Sequence, residues 1–384
     1  MSEWKRCTVG DVCEVFDGPH ATPPQSNDGP IYLGIPSIRS DGSIDYENSK
    51  RISYENYPKW TKRVTPQEND VVFSYEANLE SYARIPAGFE GCLGRRMAIM
   101  RPDPSAIDAR FLYYYTQSPA WKAVIASRTV LGATVNRIPI ATFPEFPLRL
   151  PSLPAQQRIA GVLSAYDKLI ENNRKQIKLL EEAAQRLYKE WFVDLRFPGH
   201  ETTSIVDGLP EEWERGKLGS VVEFRRGKTI TQKETVEGGV PVVAGGLEPA
   251  YYHNAANTGS PVITVSGSGA NAGFCRLYVT KVWASDCSFA DANMTEDLIF
   301  VYLTIKVLSN GFKQCQRGSA QPHVYPKHVN DLQVLIPNVE TLECFRQLVA
   351  PFFIQIGVLE QQIVAAREAR DRLLPKLMSG EIEV

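Results

Sequence analysis

Two stretches of this chain begin alike. Glu3 to Gly18 reads EWKRCTVGDVCEVFDG, and Glu212 to Gly227 reads EWERGKLGSVVEFRRG. At an offset of 209 residues, Glu3/Glu212, Trp4/Trp213, Arg6/Arg215, Gly10/Gly219, Val12/Val221, Glu14/Glu223 and Gly18/Gly227 coincide, where chance alone gives roughly one match. Further on, Gly132 to Pro151 aligns with Gly318 to Pro337 at an offset of 186, and Gln176/Gln362, Ile177/Ile363, Glu182/Glu368, Arg186/Arg372 and Leu187/Leu373 keep that offset. The repeats therefore share a beginning and an end and differ by 23 residues between them. Fixed ends around a variable middle describe recognition loops carried on a common scaffold.

Each repeat closes on a helical pattern. Ile159, Leu163, Tyr166, Ile170, Asn173, Ile177, Leu180, Ala184, Leu187 and Trp191 recur at spacings of 4 and 3. Shifted by 186, Phe345, Val349, Phe352, Ile356, Leu359, Ile363, Ala366, Arg370, Leu373 and Leu377 hold the same register. A sustained 3.5-residue period is a coiled-coil seam. Gly357 lies off that seam and Pro375 near its end. Asn338 is placed to cap the second helix and Pro198-Gly199 to end the first. The two helices are each other's natural partners, although packing of each on its own domain alone satisfies the same stripe. Connectivity makes the pair antiparallel, and about 35 residues at ~1.5 Å rise give a spacer of about 50 Å.

The expected architecture is α+β: two mixed α/β domains, related by a pseudo-twofold axis, joined by two long antiparallel coiled-coil helices. Boundaries are drawn at 1–150, 151–195, 196–211 (a linker), 212–337 and 338–384. "DVVFSYE" (Asp70 to Glu76) and "PVITVSGS" (Pro261 to Ser268) read as strands, and Asp108 to Ile125 and Thr295 to Asn310 as helices.

Composition narrows the function. With 42 Lys and Arg against 44 Asp and Glu, the net charge is −2, so any nucleic acid must be held by local patches rather than a global field. No apolar run approaches the ~20 residues of a bilayer span, and MSEWKRCTVG lacks the apolar core of a secretory signal; the expectation is a cytoplasmic protein without membrane contact. Seven scattered cysteines and five histidines show no metal-ligand spacing. "RRGKT" (Arg225 to Thr229) lacks the earlier Gly of a phosphate loop, having Val222 there, and "VSGSGANAG" (Val265 to Gly273) is followed by a strand pattern, not a helix. No catalytic constellation emerges, and the chain is expected not to be an enzyme.

Three stretches carry a resemblance. LPSLPAQQRIAGVLSAYDKLIENNRKQIKLLEEAAQRLYKEWFVDLRFPG (Leu150 to Gly199), GLPEEWERGKLGSVVEFRRGKT (Gly208 to Thr229) and LLPKLMSGEIEV (Leu373 to Val384) are similar to framework segments of the specificity subunits of type I restriction–modification systems. The resemblance implies a non-catalytic reader of double-stranded DNA in which each variable domain is a target-recognition domain for one half of a split sequence. It also implies that the helices set the spacing and dock methyltransferase subunits, two of them, which bind S-adenosylmethionine and methylate adenine. An endonuclease/translocase subunit using ATP and Mg can join such a complex; the chain itself is expected to carry no cofactor. Half-sites read by domains centred about one DNA turn, ~34 Å, apart suit that spacer.

Phosphates attract Arg and Lys, while base edges are read by Arg, Asn, Gln and Ser. The candidates in the first domain are Lys50, Arg51, Lys62 and Arg63, with Lys59 and the aromatics Tyr54, Tyr57 and Trp60 between them, then Arg95, Arg96 and Arg137. In the second they are Arg225, Arg226, Lys228, Arg276 and Lys281, then the loop of Arg317, Ser319, Gln321 and His323. Loss of Arg225 and Arg226 should weaken DNA binding and flatten its salt dependence. The sequence leaves two rivals open. One is a two-headed protein scaffold that reads no DNA; the other is the targeting subunit of a related methylation-based phage defence system.

Overall fold

The computed structural model describes residues 4–132, 135–308 and 323–384. They fall into two compact units, Met1–Ile170 with Val364–Val384, and Glu171–Ile363. Each unit contains one repeat's globular domain and a stretch of both long helices.

The two domains have one topology. In the first, Lys5–Thr8 pairs antiparallel with Pro147–Leu150, Lys5 opposite Leu150. In the second, Glu214–Lys217 pairs with Gln333–Ile336, Glu214 opposite Ile336. These pairs join the two repeated ends of each copy, which is why the ends keep constant offsets while the middle varies. Between them lies a four-stranded sheet ordered Cys13–Asp17, Met97–Pro102, Val71–Ser74, Tyr82–Arg84 in the first unit. Its counterpart is Arg225–Arg226, Cys287–Asp291, Val262–Ser266, Cys275–Tyr278. The central strands, VVFS and VITVS, are buried along their whole length, as expected of β-branched runs covered on both faces. A small parallel pairing completes each domain, Ile31 opposite Gly91 and Val242 opposite Trp283.

Gly18 and Gly227, matched in sequence, end the first strand of each sheet. A Cβ on Gly227 would come within 2.4 Å of the Ser285 carbonyl oxygen, and one on Gly18 within 2.7 Å of that of Gly94. Backbone approach at that distance admits only glycine.

The segment Asp108 to Ile125 forms two helices rather than one, Ala109–Tyr115 and Pro119–Arg128. Asp108 caps the first by accepting from the Arg110 and Phe111 amides, and Ser118 caps the second; the Ser-Pro pair supplies both the cap and a first-turn proline that restarts the helix. In the second unit the corresponding helix is Leu298–Leu308.

Of the long helices, Leu153–Tyr188 continues through a π turn, Lys189–Val193, and stops where Leu195 turns left-handed (φ 56°), ahead of the Pro198-Gly199 expected to end it. The second, Val339–Ser379, is capped by Asn338, whose Oδ1 accepts from the Thr341 amide at 3.0 Å. Within the first unit Ile159 and Leu163 are buried with Leu374, Leu377 and Met378, Ile170 is buried, Tyr166 and Leu373 are half-buried, and Asp167 meets Arg370. Within the second, Asn173 donates to Gln362 at 3.0 Å. There Ile177, Leu180, Leu187 and Phe352 are partly buried around Phe345, Val349, Ile356 and Leu359, with Ile363 half-buried. In each unit the contacts pair rising numbers on one helix with falling numbers on the other, so the helices run antiparallel. They also pack on the second domain's helix, where Tyr188 and Phe192 touch the Phe300 ring and Phe353 touches Tyr302, while Phe345 meets Tyr188, Trp191 and Phe192 across the helix pair.

By length and composition Val339–Ser379 is apolar enough to cross a membrane, with a window of mean hydropathy 1.5. The sequence expectation counted uninterrupted apolar runs and so did not register it. Phe345, Val349, Phe353, Ile356 and Leu359 of this helix are core residues.

Candidate nucleic-acid interface

At one end of each four-stranded sheet the backbone forms the same frame. In the first unit the Gly18 amide donates to Met97 O (2.9 Å), Tyr75 N to Arg96 O (3.1 Å) and Ile138 N to Tyr75 O (2.8 Å). In the second, Gly227 N donates to Cys287 O (2.9 Å), Gly267 N to Asp286 O (3.4 Å) and Val324 N to Gly267 O (3.0 Å). Glu76 bridges Arg137 in one, and Ser268 bridges His323 in the other. Four positions thus correspond: Asp17 with Arg226, Glu76 with Ser268, Arg96 with Asp286, Arg137 with His323. Sequence offsets alone, 209 and 186, already pair the first and the last.

The first unit fills the frame with Arg96 Nε on Glu76 (2.9 Å), Arg63 Nη1 on Asp17 (2.8 Å), and His20 between Asp17 (3.1 Å) and the Tyr75 hydroxyl (3.3 Å). Tyr75 has its hydroxyl pushed up by burial and then by the Asp17 and Glu76 carboxylates. Arg96 holds a left-handed backbone, φ 75°. The second unit surrounds a cavity of about 200 Å³ with Arg226, Ser268, Asp286, His323 and Tyr325. Ser268 Oγ donates to Asp286 at 2.8 Å, Arg226 Nη2 lies 3.6 Å from the same carboxylate, and His323 stacks on Tyr325 at 5.9 Å.

Among the residues singled out in the sequence, the frame gathers Arg63, Arg96 and Arg137 in one unit and Arg226 and His323 in the other. Arg225 is the next residue along the strand, opposite Phe289, and Lys228 follows Gly227; both are exposed. Lys50, Lys59, Lys62, Arg95 and Lys281 are exposed elsewhere. Arg51 donates to the carbonyls of Gly29 (2.8 Å) and Tyr46 (3.3 Å), so its guanidinium pins a loop. Trp60 is buried, Tyr57 half-buried, and Tyr54 is exposed with its hydroxyl on Glu90 at 3.0 Å. Arg276 lies over the Tyr278 ring and 3.7 Å from Glu248, in a cavity also lined by Glu181, Lys306 and Glu360. Arg317, Ser319 and Gln321 lie outside the described residues. A search for basic residues passes over Asp17, Glu76, Ser268 and Asp286; the repeat offset leads to Asp17 through Arg226, whereas Glu76, Ser268 and Asp286 keep neither offset and are brought in by the fold.

Comparison with known proteins follows the same division. A family model described as the type I restriction modification DNA specificity domain matches residues 1–182 and again 210–363. The type I restriction enzyme MjaIX specificity subunit of Methanocaldococcus jannaschii is 25% identical over 371 residues, covering 90% of this chain and 83% of that protein. The type I restriction enzyme HindI specificity subunit of Haemophilus influenzae is 26% identical over 236 residues, 55% and 46% of the two chains. The crystal structure of a type I restriction–modification system S subunit from M. genitalium superposes with a TM-score of 0.61 at 18% identity, covering 98% of this chain and 96% of that one. That likeness establishes the α+β fold.

Proposed function

The chain belongs to the type I restriction–modification DNA specificity family, and from that premise we propose that it is the non-catalytic subunit reading a bipartite, asymmetric DNA target, one half per unit. The observation that carries this reading is the frame built twice from the same backbone and furnished with different polar side chains. Equal scaffolds with unequal chemistry suit two unlike half-sites. The rim supplies exposed cations for phosphates, among them Arg225, Lys228 and Arg137.

The antiparallel helices act as the ruler between half-sites. Leu348, Pro351, Ile354 and Val358 leave apolar surface exposed on the C-terminal helix, which suits docking of methyltransferase subunits, two per chain. Those subunits bring S-adenosylmethionine and adenine chemistry; an endonuclease/translocase with ATP and Mg completes a restricting complex. A DNA reader of this kind works in the cytoplasm.

Mapping modified adenines in the host genome, with and without this gene, tests the reading. The expected result is a split motif with a fixed gap that vanishes with the gene; an undivided motif, or one indifferent to the gene, overturns it. Inserting one heptad in each helix adds about 10 Å and should lengthen the gap by about 3 bp.

A further inference from the structure

Two of the four corresponding positions of the frames carry opposite charge. Where the first unit has Asp17 the second has Arg226, and where the first has Arg96 the second has Asp286. In the first frame Glu76 holds Arg96 at 2.9 Å and Asp17 holds Arg63 at 2.8 Å; in the second Arg226 lies 3.6 Å from the Asp286 carboxylate. The guanidinium enters from the last strand's approach in one unit and from the first strand's end in the other.

A guanidinium fixed along one edge presents its remaining donors as an oriented fork, and a fork matches the O6 and N7 acceptors of guanine in the major groove. Glu76 engages Nε of Arg96, which leaves the Nη pair as that fork. The left-handed backbone at Arg96 (φ 75°) points the same way. Such a conformation is unfavourable for a long side chain and cheap for glycine, so an arginine there marks a position kept for its side chain. In the second unit Ser268 donates to Asp286 at 2.8 Å and holds that carboxylate in place.

Resting on the function proposed above, we propose that Arg96 and Arg226 are specificity-determining residues, each reading a guanine in its own half-site, with Glu76 and Asp286 as the residues that position them. The inverted charges then explain how one scaffold yields two half-sites: the reading arginine sits on opposite sides of an otherwise equal frame.

The test uses the full chain with its methyltransferase partners. The modified-adenine motif is mapped for wild type, Arg96→Lys, Arg226→Lys, Glu76→Gln and Asp286→Asn, and binding to duplexes is measured as a function of salt. Lysine keeps the charge and loses the fork. In wild type, replacing the guanine read should weaken binding about ten- to a hundredfold. Arg226→Lys should make one position of one half-site degenerate, with the other half and the salt slope unchanged; Arg96→Lys should do the same in the other half. Glu76→Gln and Asp286→Asn should relax the same positions partially. Motifs unchanged in the lysine variants, or uniform weakening with a shallower slope in Arg96→Ala and Arg226→Ala, would make these arginines phosphate contacts and overturn the assignment. A wild-type motif that is not split sinks the underlying function instead, and the two failures are told apart by the wild-type map alone.

Discussion

Asp167 ties three elements of the first unit together. Its carboxylate accepts from the Tyr114 hydroxyl on the helix Ala109–Tyr115 and from Arg370 Nη1 on the C-terminal helix. Arg370, with a side chain only 15% exposed, also donates to Asp371 at 2.9 and 2.8 Å. Replacing Asp167 by Ala strips a partner from each neighbour. Hydrogen bonds to a charged group contribute about 1.5–3 kcal/mol each, which sets a ceiling of about 3–6 kcal/mol for the two. Arg370 keeps Asp371, and Asp167 is itself about one-third exposed, so solvent recovers part of the loss. The expected cost is therefore about 2–3 kcal/mol for Asp167→Ala, and about 1–2 kcal/mol for Asp167→Asn, which keeps the shape without the charge. Urea titration followed by circular dichroism and tryptophan fluorescence reads this directly. A double-mutant cycle with Tyr114→Phe should return a coupling of about 1 kcal/mol. A loss below about 0.5 kcal/mol, or strict additivity with Tyr114→Phe, would show that the domain is held to the helices by apolar packing alone.

Three other outcomes are expected. Phe345→Ala removes a fully buried ring that meets Tyr188, Trp191 and Phe192; it should cost about 3–5 kcal/mol, seen as an earlier denaturant midpoint. Gly227→Ala should abolish the folded second unit, since the new Cβ meets carbonyl oxygens at 2.4 and 2.5 Å; a soluble variant with wild-type melting would refute the close approach. Glu181 and Glu360 are both raised above 4.5, by burial first, with Arg276 and Lys306 opposing this at Glu181 and Arg276 opposing it at Glu360. The folded state thus holds these protons more tightly than the unfolded chain, and their contribution to stability falls as pH rises above 4.5 through the raised values. Glu181→Gln with Glu360→Gln should flatten that slope in stability-versus-pH measurements, whereas a slope equal to wild type would remove burial as the cause.

The spacing of apolar residues made the long helices legible, because a seam between two helices demands a 3.5-residue repeat that composition alone does not produce. It showed less of how wide the buried face is. Tyr188, Phe192, Phe353 and Leu374 are buried off the strict repeat because the helices serve a domain as well as each other. The break at Ser118-Pro119 does have a local signal, the polar run Thr116 to Pro119 with its N-cap serine and first-turn proline, which the helical pattern of the apolar residues on both sides overrode. At the candidate interface, a search for cations found Arg96 and Arg226 and missed the carboxylates that hold them. Arg276 and Arg51 stand in basic or aromatic stretches of sequence, but their partners, Glu248 and the carbonyls of Gly29 and Tyr46, are brought in by the fold and leave no local trace.

The core of the first unit contains Leu374, Leu377 and Met378, so residues that follow the second unit in the chain complete the domain that precedes it. During translation the second unit, closed by residue 363, has all its parts before the first does. A ribosome that stalls short of these last turns therefore releases a chain whose leading domain has an open apolar seat, the kind of surface on which quality-control proteases and chaperones act. Only copies that extend through these turns present both domains sealed.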